Sequence, residues 1–446
     1  MSILKNIPKV DKFVTLPLFE GLNHHLLIKI AREHIEALRQ SILENKIDSI
    51  DERTLALSIK HAYEKIFEPS LRPVINATGV ILHTNMGRSI ISKTLLERAS
   101  HTICNYSNLE YNLALGCRGE RYEHVSNHLK ELLHVEDVLV VNNNASAVFL
   151  ILNTFAQNKE VVVSRGELVE IGGSFRIPEV MKQSGAKLYE VGATNKTKLS
   201  DYENALNEET AMLMKVHQSN FSIEGFSEDV AYENIKTLAE HNNLIDYYDV
   251  GSGYIGKLPY NLGSKEASLE EILACNPSLI SFSGDKLFGS VQAGIIVGKK
   301  ELIAKLKKNQ LLRMLRVDKI TLSILEESIK AYLREEFEQL PTLWLLRQSV
   351  EDLEMRALHV KEMIGEAYCD VIKSETYMGG GTLPNRKFPT IALHVKGKAT
   401  LLERKMRENF IIGRIENDQF LLDFRSILPE NETAIIAIIQ TIVGTK

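Results

Sequence analysis

A lysine near the middle of the chain, Lys286, follows a predicted buried strand and lies among small residues. The apolar run 277–282 predicts the strand, and Ser283 and Gly284 leave room for a ligand to approach. Upstream, a second apolar run ends at Asp249, 37 residues before the lysine, which leaves room for a crossover and one more strand. A lysine amine forms a Schiff base with the aldehyde of pyridoxal 5'-phosphate (PLP), and a carboxylate keeps the pyridine nitrogen protonated. The pair therefore predicts PLP chemistry, although most lysines after a strand are solvated end-caps.

A run of three asparagines, 142–144, joins another predicted strand to an apolar helix. The free amides and the partial positive charge at a helix start form a site for a cofactor phosphate, here at Asn143, Asn144 and Ala145. Ser283 is expected to be a second phosphate donor. Asparagine is also a common N-cap residue, and the two roles are compatible.

Three arginines and a second carboxylate are candidates for the rest of the chemistry. Asp285 either passes a proton to a departing hydroxyl or pairs with a nearby cation, and both interpretations stand. Arg88 lies in the loop 72–89, which is sparse in charge and rich in hydrogen-bond donors and therefore suits an anionic substrate. Arg313 and Arg316 share a face if their segment is helical, and arginine pairs fit phosphate oxyanions. The ordinary alternatives are a structured turn with a surface arginine and a surface salt-bridge face.

The composition is that of a globular protein with a sizeable core: 446 residues, 44% hydrophobic and 25% charged. This length suggests two or three domains. A net charge of −5 does not indicate a nucleic-acid-binding protein, so any contact with RNA must come from a local patch. Four scattered cysteines lack paired zinc spacing, and no apolar run reaches the length of a membrane span. We therefore expect a soluble, intracellular protein in a reducing compartment.

Periodicity predicts three domains. Residues 1–66 show helical spacing of apolar positions, and a linker with two prolines follows at 68–73. From 67 to 310 strands alternate with amphipathic helices, which predicts an α/β fold with a mainly parallel sheet covered by helices on both faces. Residues 311–446 contain a long helical segment, 320–368, and a small α/β unit. This unit has a strand at 390–395, helices at 401–409 and 433–443, and a hairpin that turns near 416–418. The predicted strands of the large domain are 138–141, 161–163, 187–191, 212–216, 244–248, 279–282 and 293–297.

Ligands of such sheets lie beyond the carboxyl ends of the strands, where the asparagine run, Asp249 and Lys286 all fall. The N-terminal domain has ten Lys/Arg against nine Asp/Glu, so it is balanced in charge. RNA binding and a plain helical docking element are equally compatible with it. A basic stripe along one side would consist of His24, His25, Lys29, Arg32, Arg39, Lys46 and Lys60.

Eleven blocks of the sequence resemble the bacterial selenocysteine synthase family, the L-seryl-tRNA(Sec) selenium transferases. They run in order across nearly the whole chain, and the block 163–197 is long and specific. The blocks are IPKVDKFV, RPVINATGVILHTNMGR, GCRGERYEHV, VVNNNASAV, VSRGELVEIGGSFRIPEVMKQSGAKLYEVGATNKT, KVHQSNFSIEGF, DVGSG, FSGDKLFGSVQAGIIVGKKELI, LLRMLRVDK, GGGTLP and LLDFR.

The resemblance implies an aminotransferase-like, fold type I PLP enzyme whose cofactor lysine is Lys286. It implies that Arg88, Arg313 and Arg316 hold the anionic group of the selenium donor, and that Asp285 assists catalysis. It also implies a cytoplasmic homodecamer, a pentamer of dimers, whose N-terminal domain binds tRNA. Two departures from the family pattern affect loops near the cofactor: residues 289–292 (GSVQ) replace a glycine pair and a proline, and two tyrosines at 247–248 precede Asp249.

The function implied is conversion of L-seryl-tRNA(Sec) to L-selenocysteinyl-tRNA(Sec) with selenophosphate. It proceeds by PLP-dependent β-elimination of water to an aminoacrylyl-tRNA intermediate, followed by selenium addition. One alternative is a small-molecule PLP lyase of the same superfamily, whose members tend to lack the N-terminal domain. Another is a non-catalytic RNA-binding scaffold, against which the intact Asp249, Lys286 and three arginines argue.

Overall fold

In a computed structural model, the structure describes residues 3–168, 170–171, 175–218, 221, 223, 225–265 and 267–444. Parts of two blocks that carry the resemblance, at 169, 172–174, 219–220, 222 and 224, lie outside the described residues. The chain separates into two compact units, Met1–Pro73 and Val74–Lys446. The division falls at the end of the predicted proline-containing linker, and the three predicted domain ranges stay a prediction.

The first unit is helical. Two side chains start its long helices: Asn23 accepts a hydrogen bond from the backbone N–H of Leu26, and Asp51 accepts one from Arg53. The N–H of Asn23 also donates to the Tyr63 hydroxyl at 2.8 Å, which links the two helices. The elements are α1 (Val10–Phe13), α2 (His24–Leu43) and α3 (Glu52–Phe67), with 3₁₀ turns Ile3–Asn6 and Pro17–Phe19. Their buried core includes Phe13, Phe19, Leu27, Ile30, Ala31, Ala56, Ile59 and Tyr63.

A seven-stranded sheet forms the centre of the second unit. Its strands are β1 (Asp137–Val141), β2 (Glu160–Ser164), β3 (Lys187–Val191), β4 (Thr210–Val216), β5 (Ile245–Gly251), β6 (Leu279–Ser283) and β7 (Gly294–Gly298). Their order is β1-β7-β6-β5-β4-β2-β3. The neighbours from β6 to β3 run parallel, whereas β7 is antiparallel to both β6 and β1. The sheet is therefore mixed and mostly parallel.

Helices cover both faces of this sheet because its strands are apolar on both sides. Val138 and Val140 of β1 face one core, with residues of the helices at 123–133 and 319–333. Leu139 and Val141 face the opposite core, with residues of the helices at 144–155 and 300–308. The helices of the second unit are α4 (Lys93–Ile103), α5 (Glu123–Leu133), α6 (Asn144–Phe155), α7 (Ile177–Ser184), α8 (Leu199–Glu203), α9 (Tyr232–His241), α10 (Leu269–Ala274), α11 (Lys300–Lys308), α12 (Lys319–Leu333), α13 (Pro341–Arg347), α14 (Val350–Ile364), α15 (Ala399–Glu408) and α16 (Glu432–Gly444).

Shorter elements connect these helices and strands. The 3₁₀ turns are Thr84–Met86, Arg165–Glu167, Leu262–Lys265, Gln310–Arg313, Phe337–Gln339 and Pro429–Asn431. Two-residue strands pair as Tyr111–Asn112 with Cys117–Arg118 and as Glu170–Ile171 with Phe175–Arg176.

A second, antiparallel sheet lies near the C-terminus. Its strands are β8 (Cys369–Gly379), β9 (Thr382–Val395), β10 (Arg414–Glu416) and β11 (Gln419–Asp423), in the order β8-β9-β11-β10. The segment after the linker joins this part of the fold, since Ile75–Asn76 pairs in parallel with Ile411–Ile412 and Thr78 bridges Asp423. At Gly79 the backbone φ is +88°, and a Cβ there would lie 2.5 Å from the Asp423 carboxylate. Only glycine therefore fits where this segment crosses the sheet.

All seven strands predicted for the large domain are present, with ends shifted by a few residues. The prediction of one long helical segment over 320–368 is wrong in detail, because the segment comprises α12, α13 and α14. Pro341 begins α13, and non-helical backbone at Gln348 and Ser349 separates α13 from α14. Strand β8 was not predicted. The predicted C-terminal strand, two helices and hairpin correspond to β9, α15, α16 and the turn between β10 and β11. Among the described residues, no helix has the length and apolar character needed to cross a bilayer.

Candidate active site

The lysine and the aspartate lie at the carboxyl ends of neighbouring parallel strands. Asp249 on β5 is in register with Ser281 of β6 and with Val216 of β4. Lys286 follows the end of β6 by three residues. Both side chains are buried, with 4% of Asp249 and 6% of Lys286 exposed. The sheet therefore brings together the two groups that sequence spacing paired.

The buried Asp249 carboxylate accepts a hydrogen bond from a side-chain amide. Asn144 Nδ2 donates to Asp249 Oδ1 at 2.8 Å. Burial raises the pKa of Asp249 above its ordinary value, while the Asn144 hydrogen bond and the charge of Lys286 act in the opposite direction. A buried carboxylate is most stable in its charged form beside a cation. A protonated pyridine nitrogen would supply such a cation.

The start of α6 presents backbone N–H groups that can donate hydrogen bonds to a ligand. The Asn143 side chain accepts from the Ser146 N–H at 2.8 Å, and the Ala147 N–H donates to the Asn143 carbonyl. The N–H groups of Asn144 and Ala145 have no partner among the described residues. The strand β7 passes close behind this turn, since a Cβ on Gly294 would overlap the Asn143 carbonyl. Two free amides at a helix start suit a phosphate.

Other polar groups near this turn also lack partners. Asn142 Oδ1 and Asn144 Oδ1 are buried acceptors with no hydrogen bond within the described residues. The buried Ser283 hydroxyl likewise makes no hydrogen bond with a described side chain or backbone group. Buried polar groups are rarely left unpaired without a ligand or water. Together with Asp249 and Lys286, this set of donors and acceptors fits PLP.

His217 is a site residue that the sequence prediction missed. It directly follows β4, and its backbone N–H donates to the Asp249 carbonyl at 2.9 Å. Desolvation and the charges of Lys286 and Lys215 lower the pKa of His217 to about 4. The imidazole is therefore neutral at pH 7. The rule that found Asp249, a polar residue at the carboxyl end of a strand, would also have found His217.

Asp285 is paired with Arg88. Arg88 Nη1 donates to Asp285 Oδ2 at 2.8 Å, and the Ser89 N–H donates to the Asp285 carbonyl at 3.3 Å. Asp285 is buried, and one third of the Arg88 side chain is exposed. Arg88 has a φ of +60°, in the left-handed region, so the backbone turns sharply at this residue. The loop that carries Arg88 thus reaches the residue beside Lys286.

Arg313 and Arg316 do not share a helical face. Arg313 ends the 3₁₀ turn Gln310–Arg313, and the next helix begins only at Lys319. Arg313 is exposed and has no ion pair with a described residue, whereas Arg316 is partly buried and ion-paired with Glu110. The prediction that the two arginines share a face required one helix over both residues, and no α-helix covers them. No sequence signal points to Glu110, because it lies in an irregular segment without periodicity.

The two departures from the family pattern are accommodated by hydrogen bonds and packing. The Ser290 hydroxyl donates to the Ser328 hydroxyl at 2.7 Å, and the Ser290 N–H donates to the Gly284 carbonyl. In β5, the Tyr247 hydroxyl contacts the Ser281 hydroxyl at 2.7 Å. The Tyr248 ring packs against Tyr232 with centroids 4.9 Å apart. The two hydrogen bonds of Ser290 therefore attach the loop after Lys286 to α12 and to the residue at which the loop begins, Gly284.

A polar cavity of about 760 Å³ lies beyond the ends of β2 and β4, and His217 forms part of its lining. Lys215 lies in its wall, where its amine pairs with Glu167 at 3.0 Å and with Asp229 at 3.2 Å. Arg386 of β9 also lines the cavity. The cavity therefore adjoins the Asp249 strand end from the side of β4.

The strand order and the lysine–aspartate pair define a protein of the aminotransferase-like, fold type I class. A solved structure described as D-glucosaminate-6-phosphate ammonia-lyase has the same fold. Its TM-score is 0.61 at 19% identity, over 86% of this chain and 98% of the other. At that identity the likeness concerns the fold alone.

Sequence comparison identifies the family. Residues 74–428 match the family described as "SelA: L-seryl-tRNA selenium transferase". A protein of Aliarcobacter butzleri named L-seryl-tRNA(Sec) selenium transferase is 60% identical over 96% of both chains. A protein of Sulfurimonas denitrificans with the same name is 55% identical over the whole of both chains. The chain belongs to the L-seryl-tRNA(Sec) selenium transferase family.

Proposed function

We propose that this chain converts L-seryl-tRNA(Sec) to L-selenocysteinyl-tRNA(Sec), with selenophosphate as selenium donor and PLP as cofactor. The observation that carries the proposal is the buried pair Lys286 and Asp249 at adjoining strand ends, beside the open start of α6. Family membership supports the substrate and the reaction. The relatives share one transferase name, which favours this function over a small-molecule lyase or an inactive scaffold.

The cofactor-binding residues divide by the part of PLP that each would hold. Until the seryl amine takes its place, Lys286 would bond the aldehyde carbon, and Asp249 would accept a hydrogen bond from the protonated pyridine nitrogen. The N–H groups of Asn144 and Ala145, in the turn capped by Asn143, would bind the phosphate together with Ser283. PLP supplies an electron sink that stabilises negative charge at the substrate Cα.

The proton transfers belong to two neighbouring side chains. The Lys286 amine takes the proton from the seryl Cα, because it is already within reach of that carbon. Asp285 assists departure of the hydroxyl from Cβ, and its ion pair with Arg88 fixes the carboxylate at that point. Both side chains are buried, so bulk water does not compete for the Cα proton.

The arginines bind the anionic end of the selenium donor. Arg88 extends the site from Asp285, Arg316 is held by Glu110, and Arg313 is exposed with its donors open. Guanidinium groups match phosphate oxyanions in geometry and remain charged at every relevant pH. The selenium of selenophosphate bound in this way bonds to Cβ, and cleavage of the Se–P bond by water then releases phosphate.

The tRNA is recognised outside the catalytic centre, since a small pocket cannot distinguish serine on one tRNA from serine on another. The helical domain 1–66 serves this role, the domain 67–310 carries the cofactor, and 311–446 completes the enzyme. We further propose a cytoplasmic homodecamer built as a pentamer of dimers. Six exposed basic side chains mark one candidate RNA surface, namely His24, His25, Lys29, Arg32, Arg39 and Lys46.

One assay tests the function directly. The purified protein with PLP is incubated with seryl-tRNA(Sec) and selenophosphate, and the aminoacyl group released from the tRNA is examined for selenium. Seryl-tRNA(Ser) is the matched control, because it carries the same amino acid on a different RNA. Selenium on the tRNA(Sec) sample alone is the expected result. Its absence, or equal transfer to both tRNAs, contradicts the proposal.

A further inference from the structure

One carboxylate, Glu110, is in contact with three arginines that come from two separate segments of the chain. Arg121 Nε donates to Glu110 Oε1 at 2.9 Å, Arg316 Nη2 donates to the same oxygen, and Arg118 Nη2 lies 3.3 Å from Oε2. Glu110 and Arg316 are partly buried, with 28% and 27% of their side chains exposed. Arg118 is 79% exposed, so its contribution is small.

Arg121 is held on both sides and thereby fixes the backbone next to Arg316. Its Nε and Nη2 face Glu110, and its Nη1 donates to the Val317 carbonyl at 2.6 Å. Glu110 therefore holds one nitrogen of the Arg316 guanidinium, and Arg121 holds the carbonyl of the next residue, Val317. Glu110 and Arg121 together are called the clamp below. The other N–H groups of Arg316 have no partner among the described residues.

We propose that Glu110 is a positioning residue that pre-orients Arg316 for the anionic group of the selenium donor. The inference rests on the proposed function, in which Arg316 binds that group. A guanidinium held in one orientation loses less conformational freedom when the anion binds, so the clamp favours binding. Three arginines against one carboxylate keep the cluster positive, so Glu110 does not cancel the attraction for the anion.

The test is Glu110→Gln, which keeps the shape of the side chain and removes its charge. Glu336→Gln is the matched control, because Glu336 pairs with Arg98 at 2.7 Å and is 27% exposed but lies outside the cluster. We expect the KM for selenophosphate to rise about tenfold or more in Glu110→Gln, with kcat and the KM for seryl-tRNA(Sec) within about twofold of the wild type. Glu110→Asp, which keeps the charge, is expected to lie between Glu110→Gln and the wild type. The control is expected to match the wild type.

A second measurement does not depend on turnover. The Kd of the PLP-loaded protein for inorganic phosphate, measured by titration calorimetry, is expected to weaken about tenfold in Glu110→Gln and not in Glu336→Gln. Unchanged or tighter phosphate binding overturns the proposal, since it would mean that Glu110 does not orient Arg316 or that it competes with the anion. A loss of kcat with KM unchanged also overturns it. If the wild type binds phosphate as expected but transfers no selenium, the proposed function fails while the positioning role stands.

Discussion

Two carboxylates, Asp249 and Asp285, lie near the ends of neighbouring strands, yet their surroundings differ. Asp249 is buried, bonded to the Asn144 amide and close to Lys286, and burial raises its pKa. Asp285 is ion-paired with Arg88 at 2.8 Å, at the edge of the buried region. The first environment favours a cationic ligand group, and the second links the lysine to the loop that carries Arg88. Environment rather than residue type therefore separates the carboxylate proposed to hold the cofactor from the one proposed to act on the substrate.

The strongest residue-level prediction concerns Lys286. Replacing it with alanine removes both the Schiff-base nitrogen and the base for the Cα proton, so we expect turnover to fall by at least roughly 10³-fold. The absorption band of the lysine–PLP Schiff base should also disappear, which spectrophotometry detects directly. Lys300→Ala, at an exposed position at the start of α11, is the control and should retain both. Normal turnover in Lys286→Ala would refute the proposed role of the lysine.

His217 makes the stability of the protein depend on pH. The folded chain holds the imidazole neutral because its pKa is about 4, whereas in the unfolded chain it takes up a proton near pH 6.5. The unfolded state therefore binds more protons between these values, and stability falls as the pH is lowered through this window. For His217 alone, the free energy of unfolding should drop by about 2 kcal/mol between pH 7 and pH 5.

The substitution His217→Asn removes this group and should flatten the pH dependence by that amount. Urea unfolding of the wild type and the variant at pH 7 and pH 5 measures it. His359→Asn, at an exposed position on α14, controls for the loss of a histidine as such. If the difference between the two pH values is the same in His217→Asn as in the wild type, the imidazole does not titrate as the structure requires.

At the scale of elements, the site depends on where the parallel strands end. Local sequence predicted these strand ends well. Apolar runs followed by polar residues predicted β1, β5 and β6, and therefore also the positions of Asn143, Asp249 and Lys286. The antiparallel direction of β7 follows from the short connection between β6 and β7. Residues 284–293 between β6 and β7 are too few for the crossover that a parallel strand needs.

Long-range pairing was out of reach of sequence periodicity. The parallel pairing of Ile75–Asn76 with Ile411–Ile412 joins segments more than three hundred residues apart, and no local pattern encodes it. Strand β8 was missed because its residues alternate only weakly between buried and exposed positions. The contact of Glu110 with Arg316 depends on the same kind of long-range packing. The chemistry of the site was therefore more predictable than the contacts that support it.

The end of β4 is held by a buried ion pair whose loss should be costly. Lys215 Nζ lies 3.0 Å from Glu167 Oε1, and Glu167 Oε2 accepts from the Val216 N–H. Lys215→Met would leave Glu167 buried without its cation, so we expect a loss of about 3–5 kcal/mol in the free energy of unfolding. Lys187→Met is the matched control, since its pair with Glu209 is more than half exposed and should contribute little to stability. Urea unfolding distinguishes the two, and equal losses would contradict the special role of the buried pair.

At the scale of the whole molecule, the chain combines two compact units of different character. The second unit contains the proposed cofactor residues and the sheet that supports them, whereas the first is a small helical unit with its own core. The net charge of −5 gives the protein as a whole no general attraction for RNA. An RNA-binding role for the first unit must therefore come from basic side chains clustered on one of its surfaces.

Lys29 and Arg32 on α2 allow this role to be tested in the full-length protein, because both are exposed and lie three residues apart on one helical face. Reversing both charges, Lys29→Glu with Arg32→Glu, should weaken binding of seryl-tRNA(Sec) by about tenfold or more and lower the slope of log affinity against log salt by about one to two. Lys398→Glu with Arg404→Glu, exposed positions of the second unit, makes the same change in net charge and should have little effect. Filter binding over a range of salt concentrations measures both quantities. Equal losses in the two double variants would mean that net charge, and not a surface of the first unit, governs tRNA binding.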